Sequence, residues 1–230
     1  MAMSYYDEPY SEFVYFSEET KKLNEFDTTN LSYENILLIG TFATFWNLFE
    51  EKIFFYDLTR QNICLWAKQY GNEKLNKEFN TLIKMLREEA RNFIGEKIGE
   101  RTIVGEKHVR DFCFDYTDED LDRERKINKE LIDGEKLQKT LESNEKYVKD
   151  IVAFMNIYDY KNLPDLNNSK GERDLKGAFL FIQRIRNNLF HGKKSTSNIE
   201  RQRELLKICT SIIMYVVNNS GDFLFLRKER

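Results

Sequence analysis

Arg184, Arg186, Asn187, Asn188 and His191 fall within the run Arg184-Ile185-Arg186-Asn187-Asn188-Leu189-Phe190-His191-Gly192. A guanidinium matches a phosphate with paired donors and keeps its charge at any physiological pH. An imidazole titrates near neutrality and can take or give a proton. Amides donate and accept from the same side chain. Together these groups point to chemistry on a phosphodiester. Metal chemistry has no comparable cluster. The two histidines, His108 and His191, are 83 positions apart, and Cys64, Cys113 and Cys209 lack ligand spacing. No glycine-rich phosphate loop and no nucleophile elbow occurs.

The run must sit on a helix. Leu175, Ala178, Ile182, Ile185 and Leu189 form one apolar stripe in an arc about 80° wide at 100° per residue. Asp174 is the expected start of this helix, and Gly192 follows where it would stop. Arg184, Asn187, Asn188 and His191 share the polar side, while Arg186 falls just beyond the edge of the stripe, beside Phe179 and Phe190. On one straight helix Arg186 and His191 are therefore about 140° apart. Acting together requires a distorted last turn or a second copy of the helix across a two-fold axis. Arg101 also lies seven positions before His108, but across Val104-Gly105, where no regular helix is expected; His108 reads as incidental.

The elements around the run are helical. Ile39, Phe42, Trp46, Phe49, Ile53 and Tyr56 recur at helical spacing from a start near Ser32 or Tyr33. This broad stripe marks a central helix that bends and continues through Ile63-Cys64-Leu65-Trp66 to Tyr70, with Gly71 ending it. A second helix covers about 73–94, broken afterwards by Gly95, Gly99 and Gly105. Others are expected over about 144–158 and 198–217, with a loop at 162–171. No β-alternating run stands out, and no internal repeat is present. The fold class is all-α, a mainly antiparallel helical bundle with a charged helical insertion. Residues 1–30 read as an acidic, aromatic N-terminal arm, 31–220 as the helical domain with the insertion at about 100–145, and 221–230 as a C-terminal tail.

The string Arg186-Asn187-Asn188-Leu189-Phe190-His191-Gly192-Lys193, on the penultimate helix of an all-α domain, resembles the signature of the HEPN superfamily: an arginine, four to six residues, then a histidine. Thr41-Phe42-Ala43-Thr44-Phe45-Trp46-Asn47-Leu48-Phe49-Glu50 is similar to the long aromatic helix of many prokaryotic members. The resemblance implies a homodimer that sets two such motifs in a cleft and cuts RNA without a metal or other cofactor. His191 would take the proton of a ribose 2′-OH or orient that hydroxyl. Arg186 would neutralise the phosphorane, and Asn187 would orient the phosphate or its neighbours. Lys193 and Lys194 would hold the RNA backbone with Arg184 and Asn188, and Glu50 or Glu51 is a candidate acidic partner for Arg186. Arg184 fits the longer, six-residue spacing, but Arg186 is preferred because Asn187 follows it. Some relatives carry a tyrosine two residues after the histidine. Here Lys193 stands there, so control through that tyrosine is not expected.

Composition bounds the partners. The 230 residues carry a formal charge of −3, with 41 % hydrophobic and 33 % charged residues, 2 prolines and 10 glycines. Few helix breakers among many charges suit a helical globular domain. An acidic balance excludes a general nucleic-acid binder, so RNA would need a local basic patch. The odd, scattered cysteines fit reduced thiols in the cytoplasm. The N-terminus lacks a signal-peptide pattern, and the apolar stretch at 36–49 is too short and polar to span a membrane. The leading expectation is a cytoplasmic endoribonuclease serving as a toxin or antiviral defence effector, with a cognate antitoxin or sensor protein as candidate partner. The alternative is a non-catalytic module of the same type that binds nucleotide, RNA or a protein.

Overall fold

The structure is a computed structural model that describes residues 32–71, 77–99, 101–113, 134–156, 170–190 and 199–225. The arm at 1–30, most of the loop at 162–171, and the middle of the charged segment lie outside them. Among the described residues there are eight helices and one short hairpin: α1 Tyr33–Phe54, α2 Arg60–Tyr70, α3 Lys77–Ile94, β1 Glu96–Ile98, β2 Arg101–Ile103, α4 Glu106–Cys113, α5 Gly134–Met155, α6 Lys170–Phe190, α7 Ile199–Asn218 and α8 Ser220–Phe223. The fold is all-α, as the periodicity predicts.

Ser32 starts α1 by accepting the Asn35 N–H at 3.3 Å, and Thr59 starts α2 by accepting that of Asn62 at 3.1 Å. Between them the chain breaks rather than bends. Phe55 and Tyr56 adopt the left-handed region, φ 51° and 63°, a steric cost of about 1–2 kcal/mol for each side-chain-bearing residue. Tyr56 therefore leaves the stripe that its spacing suggests and is exposed.

Helix directions follow from the contacts. Phe79 at the start of α3 stacks on Tyr215 near the end of α7, with ring centroids 4.9 Å apart, so these two run antiparallel. Tyr147 bonds the Leu180 carbonyl at 2.9 Å and Asp150 pairs with Lys176 at 2.6 Å, which makes α5 and α6 antiparallel. α1 and α7 are the exception. Arg203 pairs with Glu34 in the first turn of α1, and Phe225, beyond α7, donates its N–H to Ile53 at 3.1 Å. These two helices run parallel and make the most extensive helix contact among the described residues.

An aromatic cluster fills the centre. Phe49 stacks on Phe179 at 5.1 Å, Trp66 meets Phe179 edge-on at 4.8 Å, and the Trp66 indole N–H donates to the Phe223 carbonyl at 2.8 Å. Phe223 and Phe225 are buried, so the start of the expected tail belongs to the core. Gly71 and Gly171 let α2 and α6 touch backbone to backbone: a Cβ on Gly71 would come within 2.2 Å of the Glu172 Cα.

Several boundaries differ from the sequence expectation. The glycines at 95 and 99 frame an antiparallel hairpin, Glu96 opposite Ile103, with Gly99 at φ 62° in its turn. Three-residue strands are too short to show alternation. α5 begins at Gly134, ten residues before the expected start, and α6 begins at Lys170 rather than Asp174. Within the charged segment, α4 sends Val109, Phe112 and Cys113 into the core. No helix among the described residues is long and apolar enough to cross a membrane.

Candidate active site

α6 carries the motif, and its two halves have different surroundings. Every residue from Asp174 to Ile182 is buried, not only the predicted stripe. The charges on its other face are neutralised locally. Arg87 donates to Asp174 at 2.6 Å and to the Phe154 carbonyl at 2.7 Å, and Lys176 reaches Asp150. Loss of water raises the Asp174 carboxyl above its usual 3.8, against the opposing pull of Arg87. From Gln183 onward the helix emerges. Gln183, Arg184, Arg186, Asn187, Asn188 and Leu189 are half-buried, with only Ile185 still in the core. The chemistry-bearing residues thus begin where α6 leaves the bundle, on a helix anchored deeply behind them.

Arg184 donates its Nε–H to the Phe112 carbonyl at 3.2 Å. Phe112 is in the last turn of α4, where carbonyls lack intrahelical partners and a cation is favoured. Tyr147 is nearby, its phenol bonded to Leu180 and pushed well above its ordinary value by burial, so it stays neutral. The Arg60 guanidinium lies 4.0 Å over the Tyr147 ring and donates to Asn144 at 3.0 Å. Arg184 thus ties α6 to the end of α4 at this junction. Spacing could not have found Phe112, Tyr147, Asn144 or Arg60, which are 72, 37, 40 and 124 positions from Arg184 in the chain.

Arg186 donates to the Asn187 side-chain oxygen at 3.3 Å. This contact sets a guanidinium beside an amide on the surface-facing side of the last turn. One residue on, the Asn188 Nδ2 is buried and has no hydrogen-bond acceptor among the described residues. His191, Gly192, Lys193 and Lys194 lie outside the described residues. α6 extends to Phe190, so His191 directly follows its last helical residue.

Glu50 and Glu51 are placed elsewhere. Glu50 accepts the Trp46 indole N–H at 2.6 Å, and Glu51 is exposed beside the Tyr56 phenol. Both stand at the C-terminal end of α1. α6 begins at that same end, because Tyr70, next to the Gly71–Gly171 contact, bonds Leu224 beside the Ile53–Phe225 link. Phe49 faces Phe179, so Glu50 and Arg186 are separated by roughly 12 Å along the bundle at 1.5 Å per residue. The structure does not bring them together within one chain.

His108 accepts the Gly105 N–H on Nδ1 at 3.0 Å, and its Nε2 faces Glu96 at 3.7 Å. It clips α4 to the hairpin. Among the described residues no group of three or more His, Cys, Asp or Glu is placed to hold a metal ion. Comparison with protein families, curated proteins and solved structures finds no match to this chain.

Proposed function

We propose that this protein is a metal-independent endoribonuclease of HEPN type whose site is completed by a second copy of the chain, and that it acts in the cytoplasm as a toxin or antiviral defence effector. The observation that carries this reading is the last turn of α6. There Arg186 is held by Asn187 and a buried amide donor on Asn188 has no acceptor among the described residues, three positions before His191. A phosphate oxygen would satisfy that donor and place its charge next to the guanidinium. His191 accepts the 2′-OH proton or orients that hydroxyl as O2′ bonds to phosphorus and the bond to the 5′-oxygen breaks, giving a 2′,3′-cyclic phosphate and a 5′-hydroxyl protonated by His191 or water. Arg186 neutralises the charge that builds on the non-bridging phosphate oxygens, and Asn187 holds the arginine. Lys193 and Lys194 contact the RNA backbone. Arg184 commits its Nε–H to the Phe112 carbonyl, which favours Arg186 as the reacting arginine and leaves Arg184 a role in holding the site or the RNA backbone.

A second reading has one observation in its favour. The formal charge of −3 suits a module that binds nucleotide, RNA or a partner protein without turnover better than it suits an RNA-cutting enzyme. Cleavage of a labelled single-stranded RNA in excess EDTA separates the two. The enzyme reading expects cleavage that falls by at least about 100-fold in Arg186→Ala and His191→Ala proteins that remain folded. Undiminished cleavage by folded His191→Ala protein overturns it, and binding without cleavage under any condition favours the module.

A further inference from the structure

The turn that ends α1 is held in a conformation its residues disfavour. Phe55 (φ 51°, ψ 44°) and Tyr56 (φ 63°) are the only non-glycine residues with positive φ among those described. Glycine enters this region freely, whereas a Cβ meets the backbone there. The turn itself is well bonded. The Phe55 N–H donates to Glu51 at 3.1 Å, the Tyr56 N–H to Glu50 at 3.0 Å and the Asp57 N–H to Phe54 at 2.9 Å. The Asn62 amide then donates to the Asp57 carbonyl at 2.7 Å. Glycine at either position would keep every one of these bonds with less strain.

Packing does not account for the two side chains either. Ile53 and Phe54 are buried in the aromatic core, whereas Phe55 is 67 % exposed and Tyr56 73 % exposed. Two adjacent aromatic rings held in water on a disfavoured backbone do not serve the core, so their role lies at the surface. Their electrostatic setting is acidic. Within the segment 50–57, Glu50, Glu51 and Asp57 flank them and Lys52 is the one cation. The Tyr56 phenol is raised above its usual 10.0 by desolvation and by the Glu51 carboxylate. A second copy of this patch would meet it with like charge, and a nucleic-acid backbone would be repelled. A guanidinium fits, because it can stack on a ring while pairing with a carboxylate.

We propose that the Phe55–Tyr56 knuckle is a docking site for an arginine-bearing basic segment of a partner protein. It occupies the C-terminal end of α1, where α6 begins, so docking leaves the last turn of α6 open. This inference stands apart from the nuclease reading.

Fluorescence anisotropy with labelled nona-arginine and nona-lysine peptides tests it at matched charge. The full chain is expected to bind the arginine peptide more tightly. A Phe55→Gly/Tyr56→Gly protein should lose about tenfold in affinity for that peptide and change little toward the lysine peptide, the difference expected for lost stacking. Its thermal midpoint should hold or rise, because strain is relieved. Glu51→Gln should weaken the arginine peptide without touching the backbone of the turn. Unchanged arginine-peptide binding in both variants overturns the proposal. So does a large fall in thermal midpoint of the glycine variant, which would give the rings a folding role. Loss of self-association or of RNA binding in that variant, with peptide binding intact, would assign the surface to another occupant and equally overturn it.

Discussion

Asn188 buries its Nδ2 where no acceptor is described, and an unsatisfied buried donor costs about 1–3 kcal/mol relative to one left in water. A ligand acceptor reaching this turn would satisfy that atom. Replacing it with an apolar side chain of similar size should remove the penalty. Asn188→Leu is therefore expected to raise unfolding free energy by about 1 kcal/mol in urea titrations while weakening RNA binding. A loss of stability of that size would mean the amide is satisfied in the folded protein and is not reserved for a ligand. Arg184 gives the opposite lesson one turn earlier. Sequence spacing places both residues on one polar face and gives them equal claim to the substrate. The difference between them is the Phe112 carbonyl at the end of α4, and no local pattern in the chain announces that contact.

α6 as an element was legible only along its apolar stripe. Leu175, Ala178, Ile182 and Ile185 are buried as the spacing predicts. Asp174 and Lys176 lie off that stripe, yet they are buried, because Arg87 and Asp150 arrive from α3 and α5 to neutralise them. Charge pairing between distant segments is invisible to a helical wheel. The burial itself leaves a titration signature, because loss of water outweighs the pull of Arg87 on the Asp174 carboxyl. The Asp174 carboxyl is raised in the folded state, so the native protein holds that proton more tightly than the unfolded chain. The resulting stabilisation is fully present below the unfolded value near 3.8 and is lost as pH rises through the higher folded value. Asp174→Asn cannot titrate. The difference in unfolding free energy, native sequence minus variant, should therefore fall as pH is raised from about 3 toward neutrality and then level off. A difference that grows with pH would show that Arg87 outweighs desolvation.

At the scale of the molecule, helix direction decides what one chain can assemble. The sequence supplied the all-α class and the position of the motif helix, but it carries no signal for the parallel pairing of α1 with α7 or for the end of α1 at which α6 begins. That geometry separates Glu50 and Glu51 from Arg186, and the five-residue spacing of Arg186 and His191 corresponds to about 140° on one straight helix. By that spacing a single straight helix would not bring the two groups together, whereas a two-fold axis beside the last turn would pair Arg186 of one protomer with His191 of the other. Mixing two inactive proteins tests this directly. In a mixed dimer of Arg186→Ala and His191→Ala chains, one site has lost both groups and the other has lost neither. Random exchange makes half of the dimers mixed, each with one intact site, so RNA cleavage in EDTA should recover to about a quarter of the native level. A site built within one protomer gives no recovery, because each chain then lacks one of its own two groups.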